Sequence, residues 1–154
     1  SESKMPGVSD GEELPGIPVQ PRQVMTTVVV AAAVIERDGH FLLTRRQPGA
    51  HLEGCWEFPG GKCEPGETHA ACLVREIREE LGVEAAVGDE LLTTTHAYPD
   101  RLVELHFLRC EAGGAPAPQL GQEARWVARE ELAALEFPPA DTELIQILIR
   151  VQQD

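Results

Sequence analysis

The stretch GGKCEPGETHAACLVREIREELGV, Gly60 to Val83, constrains this chain more than any other, because five glutamates share it with an apolar pattern good enough to build a core. Residues Thr68 to Leu81 are good helix formers with no internal glycine or proline. At 100° per residue, Ala70, Val74, Ile77 and Leu81 fall on one stripe, which is expected to face the core. Gly82 follows as a stop residue able to adopt the left-handed conformation. Glu76 and Glu80 lie one turn apart with Glu79 adjacent to both, so their carboxylates converge beside the buried stripe. Like charges at that spacing cost a helix roughly 0.2–0.5 kcal/mol per pair in water. Arg75, four residues before Glu79, offsets only part of this. Two explanations compete. One is a solvated charged face. The other is a site for a hard cation, which takes oxygen ligands. The preceding loop favours the second: Gly60, Gly61 and Gly66 allow a tight turn whose backbone can lend a carbonyl to the same ion. Glu67 enters just before the helix, where a carboxylate is favoured.

The rest of the chain reads as a mixed α/β protein. Residues 1–23 alternate prolines with glycines and acids and are expected to form a flexible tail, leaving one domain over 24–154. TTVVVAAAVIE suits a central strand, Asp38-Gly39 a hairpin turn and FLLTRR the returning strand. CWEF reads as a short strand ending in a PGG turn, and VEAAVG and ELLTTTHAY as two further strands. In LVELHFLRC, Leu102, Glu104, His106 and Leu108 point one way and Val103, Leu105 and Phe107 the other. EARWVA is another strand, REELAAL a short helix, and Asp141 a natural N-cap for a final helix. Strands and helices mix without regular βαβ alternation, so a mixed sheet flanked by helices is expected.

Charge narrows the function. Formal net charge is −13, from 26 acidic and 13 basic residues, which argues against a nucleic-acid polymer as partner, since that binding rests on a basic surface. A small phosphorylated ligand remains compatible if a divalent cation stands between the two negative partners. Cys55, Cys63, Cys72 and Cys110 fit neither a zinc pattern nor a disulfide framework and read as reduced thiols. The longest apolar run, VVVAAAVI, is far shorter than the about 20 residues a bilayer needs. A soluble cytoplasmic protein, a monomer or homodimer with no membrane partner, is expected.

Counted from Gly61, the chain runs through five residues to Glu67, seven more to Arg75-Glu76-Ile77, then Glu79-Glu80 and Gly82-Val83. This resembles the Nudix box, G-x5-E-x7-R-E-U-x-E-E-x-G-U with U aliphatic, at every specified position. The resemblance covers about residues 26 to 150 and implies the Nudix α/β/α sandwich with a mixed β-sheet. It implies hydrolysis of a nucleoside diphosphate linked to another group, with divalent metal. Glu76, Glu79 and Glu80 would then hold Mg²⁺ or Mn²⁺, with Gly60 lending a carbonyl. Glu76 would also be general base, Arg75 would orient it, and Glu79 completes the catalytic set. Gly61, Glu67 and Gly82 would support the site.

Outside the box, LTRRQ, WEFPGGK, YPDR and FPPAD resemble segments of the MutT subgroup, which clears oxidised guanine nucleotides. By that resemblance Arg46 would touch the substrate, Phe58 would line the base pocket, Tyr98 to Arg101 would lie over the base and Asp141 would bond its edge. Lys62, beside the glycine turn, is a candidate phosphate contact or a solvated side chain. Simple core packing for Phe58 and capping for Asp141 stay open. Two positions depart from the MutT pattern. Asp141 stands in place of Asn, and an ionised carboxylate only accepts where an amide also donates. It suits a cytosine amine, and the CTP pyrophosphohydrolases also resemble this chain; burial could instead keep Asp141 protonated. Leu120 stands where a late acidic metal ligand is expected, and Glu123 is the candidate replacement. The five histidines read as surface or packing residues. The favoured activity is conversion of a nucleoside triphosphate, 8-oxo-dGTP first, to monophosphate and pyrophosphate. A CTP or modified-cytosine enzyme is the alternative, and a sensing domain that binds nucleotide without hydrolysis is the alternative from another class.

Overall fold

The computed structural model describes residues 26–152, so the expected tail over 1–23 lies outside the described residues, as do 24–25 and 153–154. Seven strands form one mixed sheet: β1 (Thr26–Arg37), β2 (His40–Arg45), β3 (Trp56–Glu57), β4 (Gly60–Lys62), β5 (Ala85–Tyr98), β6 (Arg101–Ala112) and β7 (Glu123–Ala128). The central path runs β3-β2-β1-β6-β5, with β4 also on β1 and β7 also on β2. β1 and β6 are parallel; every other pairing is antiparallel. Helix α1 (His69–Leu81) covers one face. A 3₁₀ helix (Arg129–Ala134), a 3₁₀ turn (Pro139–Asp141) and α2 (Thr142–Gln152) cover the other.

Alternation along β1 produces both cores at once. Ala31, Ala33 and Ile35 pack with Leu73, Ile77 and Leu81 of α1, while Ala32 and Val34 pack with Phe41, Phe107, Leu144 and Leu148 on the α2 side. This is the α/β/α sandwich that the resemblance implies. Asp38 and Gly39 both take positive φ, 53° and 76°, as a two-residue hairpin loop requires.

Three local expectations are corrected. The buried stripe of α1 is Leu73, Ile77 and Leu81 with Cys72; Ala70 is exposed and Val74 only half-buried. Both stripes satisfy the helical period, and the sheet selects the one whose larger side chains reach it. The PGG turn continues as strand β4, because Gly60 and Gly61 pair with Ala32 and Ala31. The two strands read in VEAAVG and ELLTTTHAY are one, β5, with register shifts on either side of Glu90 absorbing the Gly88-Asp89 break. All four cysteines are free thiols. Among the described residues no helix is long and apolar enough to cross a membrane.

Candidate active site

Helix α1 is held at both ends by local chemistry. The Thr68 hydroxyl accepts from the Ala71 amide at 3.0 Å, and Gly82, at φ 71°, closes the last turn by donating to the Arg78 carbonyl. Between these caps Arg75 ties the helix to the loop before it. Its Nε and Nη2 donate to the two oxygens of Glu67, both at 2.8 Å, its Nη1 donates to Glu76 at 2.8 Å and Nη2 also to the Lys62 carbonyl at 3.1 Å. The two-pronged hydrogen bond from Arg75, aided by the Glu64 amide, holds the Glu67 carboxyl down to about 2. One guanidinium therefore fixes the position of Glu76 and the path of the glycine turn.

The turn brings its backbone against both the sheet and the glutamates. A Cβ on Gly61 would lie 2.4 Å from the Glu76 carboxyl carbon, and one on Gly60 2.0 Å from the Ala31 carbonyl oxygen. Glu80 lies beside Glu76. Burial, then the charges of Glu76 and Glu57, push Glu80 up to about 8, partly offset by the Gly60 amide. Glu57 itself is raised by burial against the pull of Arg46, which donates to it at 2.7 Å. Such a cluster of half-buried carboxylates, short of positive charge and backed by a side-chain-free turn, fits a hard divalent cation with oxygen ligands.

The glutamates border a cavity of about 720 Å³. Glu57 and Glu80 lie on its wall with Gly60 and Gly61; Arg46, Lys62 and Arg101 line it as cations, and Val30, Phe58, Leu105 and Phe107 give it an apolar floor. Phe58 serves both readings: it is buried core, stacked on Phe137 at 5.9 Å, and its edge reaches the cavity. Tyr98 carries the Arg101 guanidinium over its ring at 4.9 Å and meets His51 edge-on at 5.4 Å, and all three line the cavity. Asp141 lies on the cavity wall, 5% exposed, and burial followed by the Glu57 charge pushes its carboxyl up to about 7.

The sheet does not bring every candidate together. Glu79 is exposed and, among the described residues, pairs only with Arg75, at 3.8 Å. Glu123 pairs with Arg45 at 3.4 Å, in the same cross-strand row as Trp56, whereas Glu57 stands in the next row with Thr44. Period-two alternation sends these rows to opposite faces, so Glu123 is turned away from the glutamate cluster and lines a separate cavity. Asp141 is the last residue of the 3₁₀ turn, directly before α2, and its amide donates to the Pro138 carbonyl at 3.0 Å. Glu57 was missed by sequence reasoning, although it stands between Trp56 and Phe58 at the end of β3, where alternation alone would set it apart from both. Missed also were His69, Glu90 and His106, whose ligand atoms lie within 4.8 Å of one another in an arrangement suited to a divalent cation.

Glu80 and Asp141 set a pH dependence for the metal-free protein. Both carboxyls titrate higher folded than unfolded, so between about pH 4 and 8 the folded state binds more protons and stability falls as pH rises. In chelator, stability is expected to fall by on the order of 2 kcal/mol between pH 5.5 and 8, read as a lower melting temperature, and millimolar Mg²⁺ to raise that temperature more at pH 8 than at pH 6. A flat or rising profile in chelator would contradict the cluster as described. Glu67 acts in the opposite sense, with its contribution lost only as pH falls below about 4.

The family profile described as NUDIX domain matches residues 30–146. The CTP pyrophosphohydrolase of Escherichia coli K12 is 38% identical over 131 residues, 83% of this chain and 96% of that protein. The 8-oxo-dGTP diphosphatase of Haemophilus influenzae is 37% identical over 124 residues, 79% of this chain and 91% of that protein. Among solved structures, that of the E. coli ORF135 protein superposes with a TM-score of 0.74 at 36% identity, covering 83% of this chain and 92% of that one.

Proposed function

The chain belongs to the Nudix family, in its MutT-like branch, and from that premise we propose that it hydrolyses a nucleoside triphosphate to the monophosphate and pyrophosphate, with 8-oxo-dGTP as the favoured substrate. It is an enzyme of the hydrolase class. The observation that carries the substrate proposal is the sharing of one cavity by Glu57 and Glu80, three cationic side chains, apolar residues and Asp141. That lining suits a polyphosphate together with a base.

Glu76 and Glu80, with the Gly60 carbonyl and Glu57 nearby, would hold Mg²⁺ or Mn²⁺, which supplies positive charge against the polyphosphate and polarises phosphoryl oxygens. Arg75 holds Glu76 in one orientation, and Glu76 takes a proton from the attacking water. The water oxygen joins phosphorus on one side of the α–β anhydride as the bridging P–O bond breaks, and the group on the other side leaves with the bond's electron pair, giving the monophosphate and pyrophosphate. Lys62 and Arg101 meet the phosphate charge, and Arg46, already bonded to Glu57, orients that carboxylate beside them.

At the base end, Asp141 supports either of two bases. Near neutrality its raised carboxyl retains a proton in much of the population, giving the donor and acceptor that a guanine edge requires. Ionised, it suits the amine of cytosine, and the likeness to a CTP pyrophosphohydrolase favours that second reading. Pyrophosphate release measured across a nucleotide panel separates them: a higher kcat/KM for CTP than for 8-oxo-dGTP removes the first. Asp141→Asn is expected to raise the 8-oxo-dGTP to CTP ratio of kcat/KM about tenfold, since the amide always offers both a donor and an acceptor. An unchanged ratio would remove Asp141 from base selection. Nucleotide binding without any pyrophosphate release would instead identify a sensing domain.

A further inference from the structure

At the opposite end of α1 from Glu80, His69 on the first turn meets His106 of β6 and Glu90 of β5. The imidazole rings lie face to face, with centroids 3.7 Å apart and planes at 33°. Glu90 bridges them, with one oxygen 3.7 Å from His69 Nδ1 and the other 3.0 Å from His106 Nδ1. On the far side of the buried His106 ring, Nε2 lies 2.6 Å from Glu104. None of these residues lines the nucleotide cavity, and His69 stands about 10 Å along the helix axis from Glu76 at 1.5 Å per residue.

Proton counting makes this cluster unusual. Glu104 is an acceptor, so His106 donates to it through Nε2–H, which leaves Nδ1 bare in the neutral ring. Bare Nδ1 then faces the Glu90 carboxylate, also an acceptor, at 3.0 Å. The Thr93 hydroxyl lies within reach of both, 3.1 Å from His106 Nδ1 and bonded to Glu90, but its single proton satisfies only one of them. A positive charge, either a second proton on His106 or a metal ion, resolves the mismatch. Two neutral imidazoles with two carboxylates carry a charge of −2, which a divalent ion balances. The carboxylate behind the histidine is the arrangement that fixes a ligand tautomer and raises its basicity.

We propose that His69, Glu90 and His106 form a second metal site, distinct from the glutamate cluster, for a borderline transition-metal ion of the Zn²⁺ or Co²⁺ kind, with Glu104 orienting His106. Two imidazoles and one carboxylate select such ions over Mg²⁺, which prefers an all-oxygen shell and water. Three protein ligands leave a further position open. The ion ties the first turn of α1 to β5 and β6, and thereby steadies the base of the helix that carries Glu76 and Glu80.

The test uses the whole chain, stripped with chelator and titrated with Co²⁺ or Zn²⁺ in several millimolar Mg²⁺. One equivalent is expected to bind, with visible Co²⁺ bands characteristic of nitrogen ligation. His69→Gln and Glu90→Gln, both at partly exposed positions, are each expected to weaken it at least tenfold, and Glu104→Gln about tenfold. Glu80→Gln is expected to leave it unchanged. Absence of binding in wild type would mean that a proton on His106 is the cation, overturning the site. Binding indifferent to both His69→Gln and Glu90→Gln, or lost with Glu80→Gln, would overturn it as well, the latter placing the ion among the glutamates. Folding of each variant is checked by circular dichroism. The readout is metal binding, so failure here is separable from failure of the hydrolase proposal.

Discussion

Glu76→Gln is expected to lower kcat for pyrophosphate release by about 10³-fold while leaving the fold intact, within the range typical of a lost general base. The asymmetry follows from the hydrogen bond to Arg75. An amide oxygen still accepts from Arg75 Nη1, so the helix and loop stay joined. An amide neither takes a proton from water nor contributes negative charge to a cation. Glu79→Gln provides the comparison, because that side chain is exposed and, among the described residues, pairs only with Arg75. A loss of about tenfold or less is expected there. Steady-state kinetics on purified variants in saturating Mg²⁺ would decide the matter. Wild-type turnover in Glu76→Gln would remove it from the chemistry, and equal losses at both positions would mean that charge alone, not placement, is being read.

The second large effect separates two neighbouring glycines. Gly60→Ala is expected to destabilise the protein by about 3 kcal/mol, lowering its melting temperature by roughly 10 °C, as overpacking against an immovable neighbour does. The new methyl would stand 2.0 Å from the Ala31 carbonyl oxygen and 2.8 Å from Ala32 Cα, backbone atoms of the central strand with no freedom to retreat. Gly61→Ala meets something softer, since its methyl would lie 2.4 Å from the Glu76 carboxyl carbon, and a side chain can rotate away. Stability is therefore expected to change by less than about 1 kcal/mol while kcat falls at least about 10²-fold, since misplacing a reacting group by an ångström is enough for that loss. Thermal melts and turnover on the two variants report this double dissociation. If both lost stability equally, the turn would be a packing device and the placement of Glu76 a bystander.

The nature of the α1 glutamates explains how much was legible beforehand. Glu76, Glu79 and Glu80 are sequence neighbours on a regular helix, so their spatial relation follows from 3.6 residues per turn without any knowledge of the fold. The same holds for Arg75 with Glu76 and for the Asp38-Gly39 hairpin. Glu57, Glu80 and Asp141 come from a strand, a helix and a turn, and only the packing of those elements produces the field that lifts two of them to about 8 and about 7. Glu123 shows the converse. Three residues before a tryptophan it looked close enough to serve, yet the pairing of Arg45 with Glu123 places it one residue out of phase with Glu57, and one residue in a strand is the whole thickness of the sheet. The histidines are separated by up to 37 positions, and nothing in their spacing hints that β5 and β6 carry Glu90 and His106 to the foot of α1.

Local periodicity and spacing thus determined the helix, its stop at Gly82 and the strand faces, because each depends on residues within a turn or two of one another. The reaction class came from the resemblance of the Gly61–Val83 pattern to the Nudix box. Tertiary structure alone decided which carboxylates share a low-dielectric cavity, which one the sheet turns away, and that two scattered imidazoles meet. Those outcomes depend on strand register and on burial, and both are properties of elements brought together from distant parts of the chain.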